Sequence, residues 1–341
     1  MSKVTIKDVA KVANVSFTTV SRAISGDPEI SEKTRERIMK ICDEMGYTTN
    51  YIARSMIKKK TDLIGFIVPS IDNPFMSELA YYAEVTARQY GYNLMLCNSY
   101  PDLNQELTAM QLMVGHQVDG VLIIPQKPES CETLKRYTSL VPTVFLSENL
   151  KEHEGNYVSV DNHLGAVLGT KYLYELGHRE ILYFGRRKGS TTHQLRAEGY
   201  TAACRDLGIK PHILSFDASS SSVRAGVELG RELLKEKPWF SAVFASTDSN
   251  AIGLMQAARE QNIRIPGDIS LIGFDNIRIT ALPQIDMTTV EQPKEEMAVS
   301  AVNMLLEKIE NKTAVNTHKI IRPRLIERSS CQRISGSSGR S

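Results

Sequence analysis

Residues 15–26 read VSFTTVSRAISG, and they hold the most pointed chemistry in the chain. Apolar Val15, Val20, Ala23 and Ile24 recur at helical spacing and leave Phe17, Thr18, Ser21 and Arg22 on an exposed face. That face is slim, rich in hydroxyls and tipped with one guanidinium. Hydroxyls can bond phosphate oxygens without bulk, and an arginine can reach a guanine edge with two parallel bonds. A phenylalanine is badly placed against water but well placed against a thymine methyl. The pattern fits a helix presented to a DNA major groove. A three-helix protein-interaction module with a solvated face is the other reading it allows.

Short helices on either side would position this face. Thr5 precedes IKDVAKVA, with Asp8 three residues later in a near capping box and Val9, Val12 and Ala13 as the expected buried stripe. Asn14 and Val15 make the turn, because Asn tolerates a left-handed backbone. Ser16 then caps the second helix, GDPEI breaks it, and Ser31 caps a third that carries Ile38, Ile41 and Met45 on one face. Two helices joined by a tight turn and braced by a third make a helix-turn-helix unit. Charge agrees with that assignment. Residues 1–60 hold 12 Lys and Arg against 7 Asp and Glu, a net +5, whereas the whole chain is only +2. A basic head on a mildly acidic body suits a polyanionic partner.

The 341 residues exceed one compact core, and from Leu63 onward strand-like runs alternate with amphipathic helical stretches. LIGFIVP, NLMLCNS and VDGVLIIP are each followed by a helical segment. After NYVSVDN the alternation restarts with EILYFG, HILSF, SAVFAST and ISLIGFD. Continuous Val, Ile and Leu runs separated by helices imply parallel sheets covered on both faces, and the restart implies two similar lobes. Ligands in open parallel sheets sit beyond the carboxyl ends of the strands. Here two such rims would face each other.

The phrases TIKDVAKVANVSFTTVSRAIS and ISEKTRERIMKICDEMGY resemble the DNA-binding head of the LacI/GalR family of bacterial transcription regulators, without gaps over nearly fifty residues. The body resembles that family's periplasmic-binding-protein-like (type I) effector domain through DNPF, GYNLMLCNS, VDGVLIIP, LGHREILYFG, RAEGY, TDSNAIG, IPGDISLIGFDN, MTTVEQP and RPRLIERSSC, in order. The resemblance implies an α/β fold: a helix-turn-helix head (1–46), a hinge (47–60), and an effector-binding and dimerisation body (61–331). The lobes would be 61–160 with 291–319 and 161–290 with 320–331. Chain crossings are expected near Val160, Val290 and Ile320, and a low-complexity, disordered tail at 332–341.

It also implies roles. Phe17, Thr18 and Arg22 would read bases, while Thr5, Ser16, Thr19, Ser21, Thr34 and Tyr47 would position the head on the DNA backbone. Asn50, Ala53 and Met56 would belong to a hinge helix that folds in the minor groove, with Met56 where relatives insert a leucine wedge. Asn14 stands where the family has Gly, and Thr49 where it has Pro. For the effector, polar residues at strand ends are the candidates: Asp72, Asn73 and Phe75 after the first strand, Arg196, then Thr247, Asp248 and Asp275. Carboxylates and a guanidinium can grip sugar hydroxyls, and an aromatic ring can lie on the apolar face of a sugar. Before Gly226, where relatives often carry an aromatic wall, the chain reads ASSSSVRAG.

The expected protein is a repressor acting as a homodimer on near-palindromic double-stranded DNA, controlled by a small-molecule effector, most simply a sugar. A sugar receptor without a DNA role and a cleft enzyme acting on a sugar are the rival classes. No nucleophile elbow, GxGxxG or metal-spaced Cys and His set appears, so neither an enzyme nor a cofactor is expected. Five scattered cysteines and an N-terminus without an apolar run point to the cytoplasm, and no stretch approaches a membrane span.

Overall fold

The computed structural model describes residues 4–47, 60–100, 102–125, 129–147, 155–187, 190–216, 222–311, 313 and 315–334. The chain divides into two compact units, Met1–Thr61 and Asp62–Ser341.

The first unit holds α1 (Ile6–Ala13), α2 (Phe17–Ser25) and α3 (Glu32–Glu44). The Thr5 N–H and hydroxyl both donate to the Asp8 carboxylate, at 2.9 and 2.7 Å, and those bonds hold its pKa below the usual carboxylate range. Asn14 takes the left-handed conformation (φ 49°) that lets α2 turn back on α1. Ser16 Oγ accepts the Thr19 N–H at 3.0 Å. Val9, Ala10, Ala13, Val20, Ala23, Ile38 and Cys42 form the core. Val12 departs from the expected stripe. It is 60% exposed, and Ala10 is buried in its place. The small side chains of Ala10 and Ala13 face α2 and α3 in the head core, where little room is needed between helices.

The second unit opens with β1 (Leu63–Val68), α4 (Pro74–Gln89), β2 (Asn93–Asn98), α5 (Leu103–Gly115), β3 (Gly120–Ile123), α6 (Glu129–Thr138), β4 (Thr143–Leu146) and β5 (Asn156–Val160). It continues with α7 (Asn162–Glu175), β6 (Ile181–Arg187), α8 (Thr191–Asp206), β7 (His212–Phe216), α9 (Val223–Leu233), β8 (Ala242–Ala245), α10 (Asp248–Glu260), β9 (Ser270–Asp275) and β10 (Thr289–Glu291). Last come α11 (Lys294–Glu310), β11 (His318–Ile321) and β12 (Arg324–Ile326). One six-stranded sheet runs β11-β5-β4-β3-β1-β2 and is parallel throughout; the other runs β12-β10-β9-β8-β6-β7, with β12 its antiparallel edge. The chain leaves the first sheet after Val160, returns as α11, and crosses again between β11 and β12.

Strand alternation assigns the layers. In β1, Ile64, Phe66 and Val68 pack with Leu79 and Ala83 of α4 and with Met297, Ala301 and Leu305 of α11, whereas Ile67 packs with Met110 and Met113 of α5. The second sheet is covered likewise by α9 and α10 on one face and α7 and α8 on the other. A Cβ on Gly199 in α8 would stand 2.2 Å from the His163 carbonyl of α7, so only glycine lets these helices pack so closely. Polar residues where strands meet helices act as caps: Asn73, Asp102, Asp161, Ser222 and Thr247 each accept a first-turn backbone N–H.

Candidate functional site

Two constellations emerge, one in each unit. In the head, Phe17 and Thr18 are exposed in the first turn of α2, where unpaired N–H groups give the helix end a partial positive charge. Phe17 keeps 59% of its surface, an unusual cost for a ring with only water as neighbour. Arg22 lies one turn further along, its guanidinium half exposed. The Ser16 and Thr19 hydroxyls lie 2.8 Å apart, and those of Ser31 and Thr34 are 2.9 Å apart. Thr5 is engaged with Asp8, Ser21 is partly exposed, and Tyr47 packs part-buried on the head core. Asn50, Ala53 and Met56 lie outside the described residues.

In the body, the carboxyl ends of β8 and β9 meet the helix α8. Arg196, buried in α8, donates Nε–H to Asn162 Oδ1 (2.8 Å) and Nη1–H to the Ser246 carbonyl (2.6 Å). Its Nη2 lies 3.4 Å from Asp275 Oδ1, and its Cζ stands 3.7 Å from the centroid of the Phe274 ring. Such a guanidinium has no rotamer freedom left. Burial pulls its pKa down, and the Asp275 charge opposes this. Asp275 Oδ1 also accepts Gln292 Nε2–H at 2.7 Å, and Asp275 itself sits at φ 127°, a conformation side-chain-bearing residues seldom adopt. Burial raises its pKa while Arg196 lowers it.

Asp248 is wholly buried in the first turn of α10. Its Oδ2 accepts the Ile277 N–H (2.9 Å) and its Oδ1 the Thr289 hydroxyl (2.6 Å). Burial first and the nearby Asp275 charge second push its carboxyl up to about 7. The remaining sequence candidates serve structure visibly. Asn73 Oδ1 and Thr247 Oγ1 cap their helices, and Phe75 is a core residue of α4. Asp72 is exposed and accepts from the Ser70 hydroxyl. The structure thus brings Arg196, Asp248 and Asp275 together in one lobe; Asp72, Asn73 and Phe75 sit on another sheet.

Three participants escaped the sequence reading. Asn162 and Gln292 brace the pair from 34 and 17 positions away. Lys294, at the start of α11 on the first lobe, donates to the Asp275 and Asn276 carbonyls of the second (2.9 and 2.7 Å) and lies 3.4 Å from Glu78 Oε2 on α4. Glu78 Oε1 accepts the Arg278 N–H at 2.8 Å, and Ile277 is buried in the first lobe's core, so the turn carrying Asp275 is tied across both lobes. Among the described residues no cluster of three His, Cys, Asp or Glu could hold a metal ion, and no helix is long and apolar enough to cross a membrane.

Comparison with known proteins settles the class. Residues 5–50 match bacterial regulatory proteins of the lacI family, and residues 170–331 match a periplasmic binding protein-like domain. Catabolite control protein A of Priestia megaterium is 32% identical over 327 residues, covering 95% of this chain and 98% of its own. The chain belongs to the LacI family. The ribose operon repressor of Escherichia coli K12 is 31% identical over 328 residues, 96% of this chain and 99% of its own. A crystal structure of the Lac repressor bound to ONPG in its repressed state shares 25% identity at a TM-score of 0.85, over 96% of this chain and 100% of that one. As a LacI-family member the protein is a DNA-binding transcription regulator. The match to the family head begins at Thr5, the residue that opens the first cap.

Proposed function

We propose that the protein is a homodimeric repressor whose two heads read the halves of a near-palindromic operator, and whose body binds a sugar at the Arg196–Asp275 pair to set operator affinity. The observation that carries the effector reading is that buried pair, braced by Asn162, Ser246 and Gln292 at the carboxyl ends of two strands. A carboxylate can accept from two hydroxyls and a guanidinium can donate to a ring oxygen or hydroxyl, which suits a polyol more than an apolar ligand. Relatives named for a ribose operon support the same class. Asp72, Asn73 and Phe75 would close the site from the first lobe, and Thr247 and Asp248 would shape its floor.

Phe17, Thr18 and Arg22 contact bases in this reading; Thr5, Ser16, Thr19, Ser21, Thr34 and Tyr47 contact the backbone, and Asn50, Ala53 and Met56 form the hinge. Dimerisation is supported by the outer face of α4, where Tyr81 is 52% exposed and Val85, one turn on, is exposed too, beside the edge strand β2 with exposed Leu96. Two-fold symmetry doubles the base readout available to so small a head. The protein works in the cytoplasm with its DNA, and the effector leaves it chemically unchanged. Effector binding alters operator affinity through a coupling of about 1–3 kcal/mol, the usual range.

The test is duplex binding by fluorescence anisotropy, with operator-like sequences selected from a randomised library. Arg22→Ala is expected to cost about 1–3 kcal/mol per head, the worth of one bidentate base contact. In parallel, a pentose and hexose panel screened by thermal shift should yield a stabilising sugar whose effect vanishes in Asp275→Asn. Unchanged operator affinity in Arg22→Ala would refute the head assignment.

A further inference from the structure

Arg22 does not project freely from α2. Its Nη1–H donates to Glu29 Oε2 at 2.6 Å, and its Nε lies 3.7 Å from Asp27 Oδ2. The loop that carries both carboxylates is itself fixed. The Asp27 N–H donates to the Arg22 carbonyl at 3.0 Å, and Asp27 Oδ1 accepts the Glu29 N–H at 2.9 Å. From α3, Arg35 Nη2–H reaches the Asp27 carbonyl at 2.9 Å, and Ile30 packs on the head core. A lone exposed ion pair has little effect, because two long side chains must be frozen to make it. Here the acceptors stand on a loop whose backbone is already held at several points, so the pair costs side-chain freedom alone.

The placement is odd for a DNA-binding head. Two acidic side chains, one of them 71% exposed, stand on the basic unit beside the guanidinium of the groove-facing helix. A guanidinium has five donors. With Nη1 and Nε directed at the loop, donors remain for a base edge, while the local charge that would draw Arg22 to phosphates is cancelled. Phosphate attraction is blind to sequence; a base edge is not.

We propose that Glu29, with Asp27, is a specificity-determining residue of the head, holding Arg22 in one rotamer for base readout and denying it to the phosphate backbone. This rests on the assignment of Arg22 as a base reader. The experiment uses the full-length chain and two probes: the duplex that the wild-type protein selects from a randomised library, and poly(dI-dC) as sequence-blind competitor. Glu29→Gln keeps the side chain's size at an exposed site and removes its charge. The expected result is tighter binding to poly(dI-dC), a salt dependence steeper by about one ion per head, and no gain on the selected duplex. The ratio of the two affinities then falls about fivefold, the scale of freeing one rotamer-rich side chain. In an Arg22→Met background the same change should leave the ratio where it was. Equal tightening on both probes, or the same fall in ratio without Arg22, would overturn the proposal and leave Glu29 as a simple repulsive charge. If Arg22→Met alone leaves the selected duplex bound as before, the base-reader assignment fails, and this proposal with it.

Discussion

Asp248→Asn separates charge from shape at the floor of the candidate cleft. The wild-type carboxyl is wholly buried and sits near a second carboxylate, and these push it up to about 7 from the ordinary 3.8, against the two hydrogen bonds it accepts, which pull it down. An acid that holds its proton more tightly folded than unfolded stabilises the fold fully below its unfolded value. That contribution is lost as the pH rises through the folded value. The wild-type body should therefore lose stability between pH 4 and pH 7. About three units at 1.36 kcal/mol each set a ceiling of about 4 kcal/mol, and we expect about 2–4. Asparagine can still accept the Ile277 N–H, and the Thr289 hydroxyl can turn to accept from its amide. Urea unfolding from pH 4 to pH 8, followed by the fluorescence of the single tryptophan (Trp239, half exposed in the second lobe) and by circular dichroism, reads the difference. The variant should match wild type at pH 4 and exceed it by about 2–4 kcal/mol at pH 8. A variant less stable than wild type at pH 8, or one with the same pH slope, would show that the buried carboxylate ionises at no cost and refute this account.

Two further outcomes follow from packing. Gly199→Ala puts a methyl 2.2 Å from the His163 carbonyl, a backbone atom that cannot move aside. The urea midpoint of the body should fall by the equivalent of about 2–3 kcal/mol. Tyr81→Glu on the outer face of α4 should turn a dimer into monomers in sedimentation velocity without lowering the melting temperature of either sheet's core, and full-site operator affinity should drop with it.

The head was legible because its signals are local. Ser16 caps within three residues, Asn14 turns the chain at one position, and the apolar spacing of α2 leaves only one face to bury. Where two phases compete the reading slips: α1 is only two turns long, and the pattern favours Val12 over Ala10, whereas packing distance between helices favours the smaller residue. The sheets were legible because a parallel strand covered on both faces must be apolar along its length, as β1 is and as β9 is between its polar ends. The cleft was legible only in part. A polar residue at a strand end has two uses, capping the next helix or facing a ligand, and a sequence does not separate them. Asn73 and Thr247 visibly do the first, and Asp248, one residue past its cap, turns inward toward Ile277 and Thr289. Gln292, Asn162 and Lys294 were silent because each meets its partner through tertiary folding, with no spacing rule to announce the encounter.

The three crossings between sheets also order events during synthesis. The helix α11 covers one face of the first lobe, and β11 is that sheet's last strand, yet both are made after the second lobe's first five strands. A nascent chain paused at residue 290 would hold a finished head, a nearly finished second lobe and a first lobe in which Leu122 and Val144 lack the helix that covers them. The reader of DNA is ready long before its regulator, and chaperone demand should peak while α11 and β11 are being made.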